Sequence, residues 1–593
     1  MPIADCQLPI SLPADSPQSA TGNWQLAILI CVSLAVIAPT LLWGIPSNLD
    51  LTNHFRFALP FYDALVAGDA YPGWLAESNG GYGDPSFRFY PPALYYVLAA
   101  ARFVIGNWYG ATLVVFALLS ITSALGMYFW TRAILPAHQA AWAGMFYALA
   151  PYHLNQLYQA MLLAEWAASA VLPFVFGFVE RVCERGRLRD IAGLGFTFGI
   201  LVFTHLPLTV IASIALVAYA IARLNGPDKL RKLAKLSFGA ALGLSVSAVY
   251  WVTMVSEVRW IGLNDIQRVA SADYRNNFVF STFSSDNLSV WWMNITMLMT
   301  LLLFAPALIL FFKRAITGLP GVQRLVAALF PPSHQSGDKS PHSKEDLCWE
   351  LPPRVLRPAI VLSALSVFMS VPLSRPIWSL LEPLQETQFP WRWLILISMG
   401  GSILAAAGLP LMPGGENNAA RAKRMLIFGA MAISIAFTFS HVVREAQYFP
   451  SQKFERMLTD VRGTSCVNYW FTIWSRPDIR PMETEVVAAD RAINITSWEP
   501  EHRKFSLTAG TATEARIRTF YYPHWVATNE SGILPARPDK DGALLITIPQ
   551  NATTVELHFR EPRKSNFSTM TSLSGLIVIG ALSLPFRRRA RQS

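Results

Sequence analysis

Long apolar stretches separated by short basic loops dominate the chain. Several reach the ~20 residues that cross a bilayer. Spans are predicted near residues 24–44, 109–131, 138–152, 157–180, 190–206, 207–222, 236–256, 291–312, 356–373, 391–411, 425–443 and 569–586. The run after Pro91 and Pro92, residues 93–105, would break this even count if it crossed. It reads instead as a juxtamembrane or half-inserted helix. Cytoplasmic loops collect Lys and Arg, and the basic clusters fall at Arg181/Arg185/Arg187/Arg189, Arg223/Lys229/Arg231/Lys232/Lys235, Lys313/Arg314, Arg421/Lys423/Arg424 and Arg587/Arg588/Arg589/Arg591. Placing all of them inside puts both termini inside as well.

The period changes after residue 443. Short alternating runs appear at 515–522 (ARIRTFYY), 543–549 (ALLITIP) and 554–560 (TVELHFR), separated by Gly, Pro, Asn and Asp. Alternation at that spacing predicts an antiparallel β-domain, a sandwich, outside the membrane. The expected organisation is a cytoplasmic tail (1–23), a transmembrane domain (24–443), an exported β-domain (444–566), and a last helix with a basic cytoplasmic tail (567–593). Within the transmembrane domain lie a large first outer loop (45–108) and a Ser/Pro/Lys-rich cytoplasmic loop (313–355).

Composition agrees with this reading. Hydrophobic residues make up 53% of 593 positions and charged residues 15%, against about 25% charged in soluble domains. The net charge of +10 is then an orientation signal. It does not indicate nucleic-acid binding, because the basic residues sit in short loops and not on one soluble face. Residues 1–23 lack the basic region of a signal peptide, and the first apolar run is too long for one. The five cysteines (Cys6, Cys31, Cys183, Cys348, Cys466) form no disulfide framework or CxxC metal spacing.

Candidate chemistry gathers at the outer ends of the spans. The stretch 50–92 is acidic, aromatic and glycine-rich, with one histidine (His54) and two arginines, Arg56 and Arg88. Asp50 closes the first span; in a helix, Asn53 and His54 would share its face. Glu165 stands near the outer end of an apolar span, His205 at a tight outer hairpin (FTHLPL), and Arg392 in QFPWRW. Ionisable residues at membrane depth default to a functional reading. Each also has a simpler role: Asp50 capping the next helix, Glu165 pairing with His54 or Arg56, His205 satisfied within its hairpin, Arg392 snorkelling to headgroups. GGYGDP (80–85) lacks the ending of a phosphate-binding loop, so it supplies tight turns, with Asp84 a secondary ligand. Trp74, Tyr82, Phe87 and Phe89 would stack on sugar faces or pack the loop.

Together these residues resemble a known group. An acid after the first span, then HxR, then GYGxPxFxFYPPxxYY, is similar to the GT-C superfamily of polytopic membrane glycosyltransferases. The likeness is nearer to the YfhO-like proteins and the membrane family called "6-pyruvoyl-tetrahydropterin synthase related". AEWAAS, the HLP hairpin, QFPWRW and YYPHWVAT add to it, the last with His524 where glycine is usual. No zinc-binding histidine triad supports pterin chemistry. The resemblance implies a GT-C-like α-helical polytopic fold of about twelve transmembrane helices. Its implied activity moves a sugar from a polyprenyl-phosphate donor to a lipid, glycan or protein acceptor. Asp50 matches the catalytic acid and Glu165 the second acidic position, with His54, Arg56, Tyr82, Asp84, Arg88, His205 and Arg392 as substrate-binding candidates. No cofactor is required; the alternative is a divalent metal (Mg or Mn) on Asp50, Glu165 and a histidine. The expected location is a bacterial inner membrane, with the site facing the periplasm or exterior. The rival classes are a flippase for lipid-linked glycans and a non-catalytic assembly subunit retaining the fold.

Overall fold

The computed structural model describes residues 19–48, 50–224, 226–262, 272–284, 287–317, 353–409, 418–463, 472–476, 479 and 482–584. The N-terminal tail, most of the 313–355 loop, the basic C-terminal tail, Cys6, Cys348 and Cys466 lie outside the described residues. Cys31 and Cys183 are free thiols.

The chain opens with α1 (Ser19–Trp43), β1 (Ile45–Pro46), α2 (Leu51–Val66), α3 (Ala93–Ile105), α4 (Trp108–Thr131), α5 (Ala137–Ala148) and α6 (Pro151–Tyr158). It continues through α7 (Leu163–Glu184), α8 (Leu188–Thr204), α9 (Leu206–Arg223), α10 (Lys229–Val246), α11 (Ala248–Glu257), α12 (Leu288–Thr317), α13 (Pro353–Ser370), α14 (Leu394–Gly408) and α15 (Asn418–Glu445). Then come β2 (Tyr448–Phe449), α16 (Ser451–Gly463), nine strands between residues 486 and 559, and α17 (Arg563–Ser583). The expected spans fall on helical segments, with 138–152 and 236–256 each divided between two helices, and residues 93–105 form α3. Among the described residues, seven helices are long and apolar enough to cross a membrane, nine if each of two bent pairs is one span. The shortfall from twelve has local causes. The apolar segment of α5 is only 12 residues long and α8 only 17.

Two departures matter for function. The predicted spans 138–152 and 157–180 leave no room for α6, yet residues 151–158 (PYHLNQLY) form a separate, wholly buried helix. Met161, with φ of 51°, reverses the chain before α7. The predicted span 236–256 bends by 71° between α10 and α11. There Ser247 Oγ donates to the Gly243 carbonyl at 2.9 Å, and Trp251 Nε1 to the Leu244 carbonyl at 2.9 Å. Side chains bonded into the ladder are a known cause of kinks, and this one swings Glu257 out of the line of α10.

The β-domain is a two-sheet sandwich. With β3 at Val486–Val487, β8 at Gly532–Leu534 and β9 at Ala536–Pro538, one sheet runs β3–β6–β10–β9 and the other β4–β5–β11–β7–β8, with every pairing antiparallel. Here β4 is Ile493–Trp498, β5 His502–Leu507, β6 Glu514–Phe520, β7 Trp525–Asn529, β10 Ala543–Thr547 and β11 Thr553–Phe559. β5, and β11 from Thr554 on, alternate between half-exposed and buried positions, as a sheet with one solvated face requires.

The first loop joins this sandwich to the helices. Trp74 and Tyr82 enter the sandwich core, Trp74 against Trp525 (5.7 Å) and Phe559 (5.3 Å), Tyr82 against Phe520 (5.1 Å). Phe87 packs instead on Phe61 of α2 (4.4 Å). Gly83, with φ of +84°, would place a Cβ 2.3 Å from the Trp74 ring, so only glycine serves there. At the loop's start Gly44, φ +115°, lies against the Phe449 carbonyl where β1 pairs with β2. Replacing Trp74 with Ala is expected to cost about 3–5 kcal/mol. Loop 68–92 should then become sensitive to limited proteolysis before the helices unfold.

Candidate functional site

Asp50 occupies the N-cap position of α2, but its side chain makes no capping bond. Among the described residues its one hydrogen bond comes from Asn53 Nδ2, at 3.3 Å. Asn53 Oδ1 in turn accepts from Arg56 Nη1 at 3.3 Å. The half-exposed carboxylate is therefore held by a first-turn side chain of its helix and by none of that helix's backbone amides. One turn on, His54 is buried with Nδ1 3.0 Å from the Tyr95 hydroxyl. Tyr95 also hydrogen-bonds Tyr90. Burial holds the His54 imidazole below its ordinary pKa, against the opposing pull of the Asp50 charge, so it is neutral at pH 7.

Opposite this face lies a buried ion pair. Glu165, in the first turn of α7, accepts from Arg392 Nε on one oxygen at 2.8 Å. Its other oxygen accepts from the Tyr152 hydroxyl (2.6 Å) and Gln156 Nε2 (2.9 Å), both on α6. Arg392 Nη1 donates to the Thr387 carbonyl, and its guanidinium lies over the Phe389 ring at 4.8 Å. Among the described residues Arg392 Nη2 has no hydrogen-bond partner. Met161 (φ 51°) precedes Glu165, and Gln388 (φ 63°) precedes Arg392. Left-handed non-glycine residues of this kind cost of order 1–3 kcal/mol each and gather at functional sites. Glu165 thus pairs with Arg392, neither with His54 nor with Arg56.

The two faces are neighbours. Tyr90 lies within electrostatic reach of Asp50, Arg392 and Glu165, and His205 within reach of Arg392 and His54. His205 caps α9, its Nδ1 accepting from the Leu208 amide at 3.2 Å, which leaves the ring proton on Nε2. The expected divalent metal on Asp50, Glu165 and a histidine does not fit. Both Glu165 oxygens already hold donors, one of them a guanidinium.

Three expected substrate-binding residues lie elsewhere. Tyr82 is in the sandwich core. Asp84 is buried, with Oδ1 bonded by both the amide and hydroxyl of Ser86; burial pushes its carboxyl up to about 6. Arg88 is the centre of a clasp. It binds Glu257 through Nε (2.5 Å) and Nη2 (2.8 Å), and Glu561 through Nη1 and Nη2 (3.0 Å). Glu257 also accepts from the Tyr522 hydroxyl (2.7 Å) and lies 2.9 Å from His524 Nε2. With each of its three nitrogens bonded to a carboxylate, this guanidinium joins the first loop, α11 and the β-domain in a structural role. His524, the departure from the family pattern, is one of its struts. Sequence reasoning missed Tyr90, Tyr95, Tyr152 and Gln156. The polar run YHLNQ between two apolar runs was the available signal for the last two.

Residues 87–449, more than half of the chain, match the model of the family described as "6-pyruvoyl-tetrahydropterin synthase related domain; membrane protein". The chain belongs to this membrane-protein family. The match includes Glu165, His205 and Arg392; Asp50 and the β-domain lie outside it. No curated protein shows a significant match. Similar solved structures include the mycobacterial arabinofuranosyltransferase AftD (TM-score 0.41, 16% identity, 71% of this chain and 27% of that one). ArnT from Cupriavidus metallidurans bound to undecaprenyl phosphate gives 0.39 and 12%, over 75% of this chain and 74% of that one. AglB from Archaeoglobus fulgidus, in complex with an inhibitory peptide and a dolichol-phosphate, gives 0.36 and 14%, over 74% and 58%. Likeness of this size carries no argument about the site. This PTPS-related chain spans about a quarter of AftD's length.

Two outcomes are expected of the clasp. Arg88→Ala strands the buried Glu257 carboxylate and should cost about 3–5 kcal/mol in unfolding experiments. Glu501, beside the clasp, is pushed up to about 7 by burial and then by Asp69 and Glu561. A carboxyl raised above its unfolded value of about 4.3 stabilises the fold below that pH and loses this contribution as pH rises through the folded value. Glu501→Gln should therefore raise the melting temperature at pH 8, with the advantage vanishing near pH 4.

Proposed function

We propose that this protein is an integral membrane glycosyltransferase. It moves a sugar from a polyprenyl-phosphate carrier to a hydroxyl acceptor on the outer face of the membrane. The observation that carries the reading is Asp50: a half-exposed carboxylate at the mouth of a span, taken by no backbone amide of its helix, close to His54 and to the Tyr90 that also lies within reach of Arg392. A lipid carrier keeps its tail in the bilayer, so its reacting carbon sits at the depth where that carboxylate stands. Undecaprenyl phosphate and dolichol-phosphate, named for two of the similar structures, are carriers of this class.

Asp50 takes the proton of the acceptor hydroxyl as its oxygen attacks the anomeric carbon. The bond from that carbon to the phosphate oxygen breaks, and its electron pair leaves with the carrier phosphate. Arg392 Nη2 and His205 Nε2–H receive the phosphate charge, a task suited to a permanent guanidinium. Glu165 acts as a positioning residue. Its carboxylate, held by Tyr152 and Gln156, orients Arg392 and offsets the cost of burying it. Asn53 holds Asp50, and the β-domain covers the site from outside.

The test is transfer of labelled sugar from a panel of polyprenyl-phosphate donors into membranes containing the full chain. Asp50→Asn keeps the shape and removes the base, so transfer should fall by about 10²–10⁴-fold at unchanged expression. Equal transfer by both proteins would overturn the assignment of Asp50. Movement of the lipid-linked sugar without transfer would point to a flippase, and neither movement nor transfer to an assembly subunit.

A further inference from the structure

A second cluster lies away from these residues, on the solvated face of the five-stranded sheet. His502 on β5 and His558 on β11 are direct cross-strand partners, as are Lys504 and Glu556 beside them. Residues two apart on a strand share a face, so Glu556 and His558 project together and His502 meets them from the neighbouring strand. All three are half-buried, and their ligand atoms lie within 4.8 Å of one another. The imidazole rings stack 4.5 Å apart at 28°. His558 Nε2 is 3.6 Å from Glu556 Oε2. Two donors on one tetrahedral zinc ion, bonded at ~2.0–2.2 Å, stand about 3.3–3.6 Å apart.

The carboxylate is divided between two roles. Lys504 Nζ holds Glu556 Oε1 at 2.6 Å, while Oε2 is the oxygen turned to His558. A ligating carboxylate oriented by a hydrogen bond on its other oxygen is the usual arrangement around metals. The ligand set, two imidazoles and one carboxylate on rigid strands, suits a borderline divalent cation of the zinc type and not magnesium or calcium.

We infer that His502, Glu556 and His558 form a zinc-type cation site that clips β5 to β11. The site is independent of sugar transfer. Three residues beyond His558, Glu561 holds Arg88, so the clip would stiffen the strand from which the clasp hangs.

The test uses the full chain, purified without a histidine tag and stripped with chelator, titrated with Zn2+ and with Co2+ as a spectroscopic probe. Saturable binding at one ion per chain is expected, with a tetrahedral cobalt spectrum. The His502→Gln/His558→Gln double variant should lose it. Glu556→Gln should weaken it by about tenfold or more, since even the outer partners of metal ligands are worth that much. Added Zn2+ should raise the melting temperature of the wild type but not of the double variant. These positions are half-exposed on a sheet surface, so the metal-free variants should melt with the metal-free wild type. Unchanged affinity in the double variant, or no saturable binding at micromolar Zn2+, overturns the inference.

Discussion

A guanidinium removed from water must be met by carboxylates, and the fold of this protein turns on how Arg88 is met. Its partners come from distant parts of the chain: Glu257 at the end of a bent membrane helix and Glu561 where the β-domain returns to the last helix. Charges buried singly cost several kcal/mol each, so loop, helix and sandwich are stable only when assembled together. Such a clasp contributes more to the specificity of the arrangement than to its net stability. The greater stabilisation comes from the apolar contacts around it, above all Trp74 and Tyr82 in the sandwich core.

The clasp takes none of the residues of the neighbouring Asp50–Arg392 layer. The same loop that plugs into the sandwich through Trp74 lies between the helices that carry Asp50 and Tyr95. Its Tyr90 reaches the layer where Asp50, Glu165 and Arg392 meet. Anchoring the loop at its far end therefore fixes the wall of the site at its near end. The strained backbone at Met161 and Gln388 belongs to the same balance. Packing of α6 and α14 holds two unfavourable dihedrals so that Glu165 and Arg392 can join across 227 residues.

A second buried pair, Glu180 with Arg223 and Tyr219, closes the other end of α7. It stands 15 positions, roughly 22 Å at 1.5 Å per residue, from Glu165. The helix is thus tied at both ends by ion pairs to neighbouring segments. The Glu165 end lies near Asp50, a carboxylate that no cation pairs with among the described residues, and that asymmetry, more than the presence of buried charge, distinguishes the two ends.

Hydrophobic periodicity determined the classes of element. Uncharged runs near span length had to become helices, and the alternating runs after residue 443 had to become strands, because water and hydrocarbon leave the backbone few other solutions. The sequence also pointed to Asp50, Glu165, His205 and Arg392, since ionisable residues next to apolar runs stand out in one dimension. Partner choice was not legible there. Arg88 read as a site residue and proved a clasp. Glu165 had two local candidates and took Arg392 instead. Tyr152 stood at the end of one predicted span and Gln156 in the short gap before the next, and His502 and His558 met only when β5 and β11 came into register. Those outcomes depend on which helices bend and which strands pair. They follow from packing over hundreds of residues, and only the tertiary structure decided them.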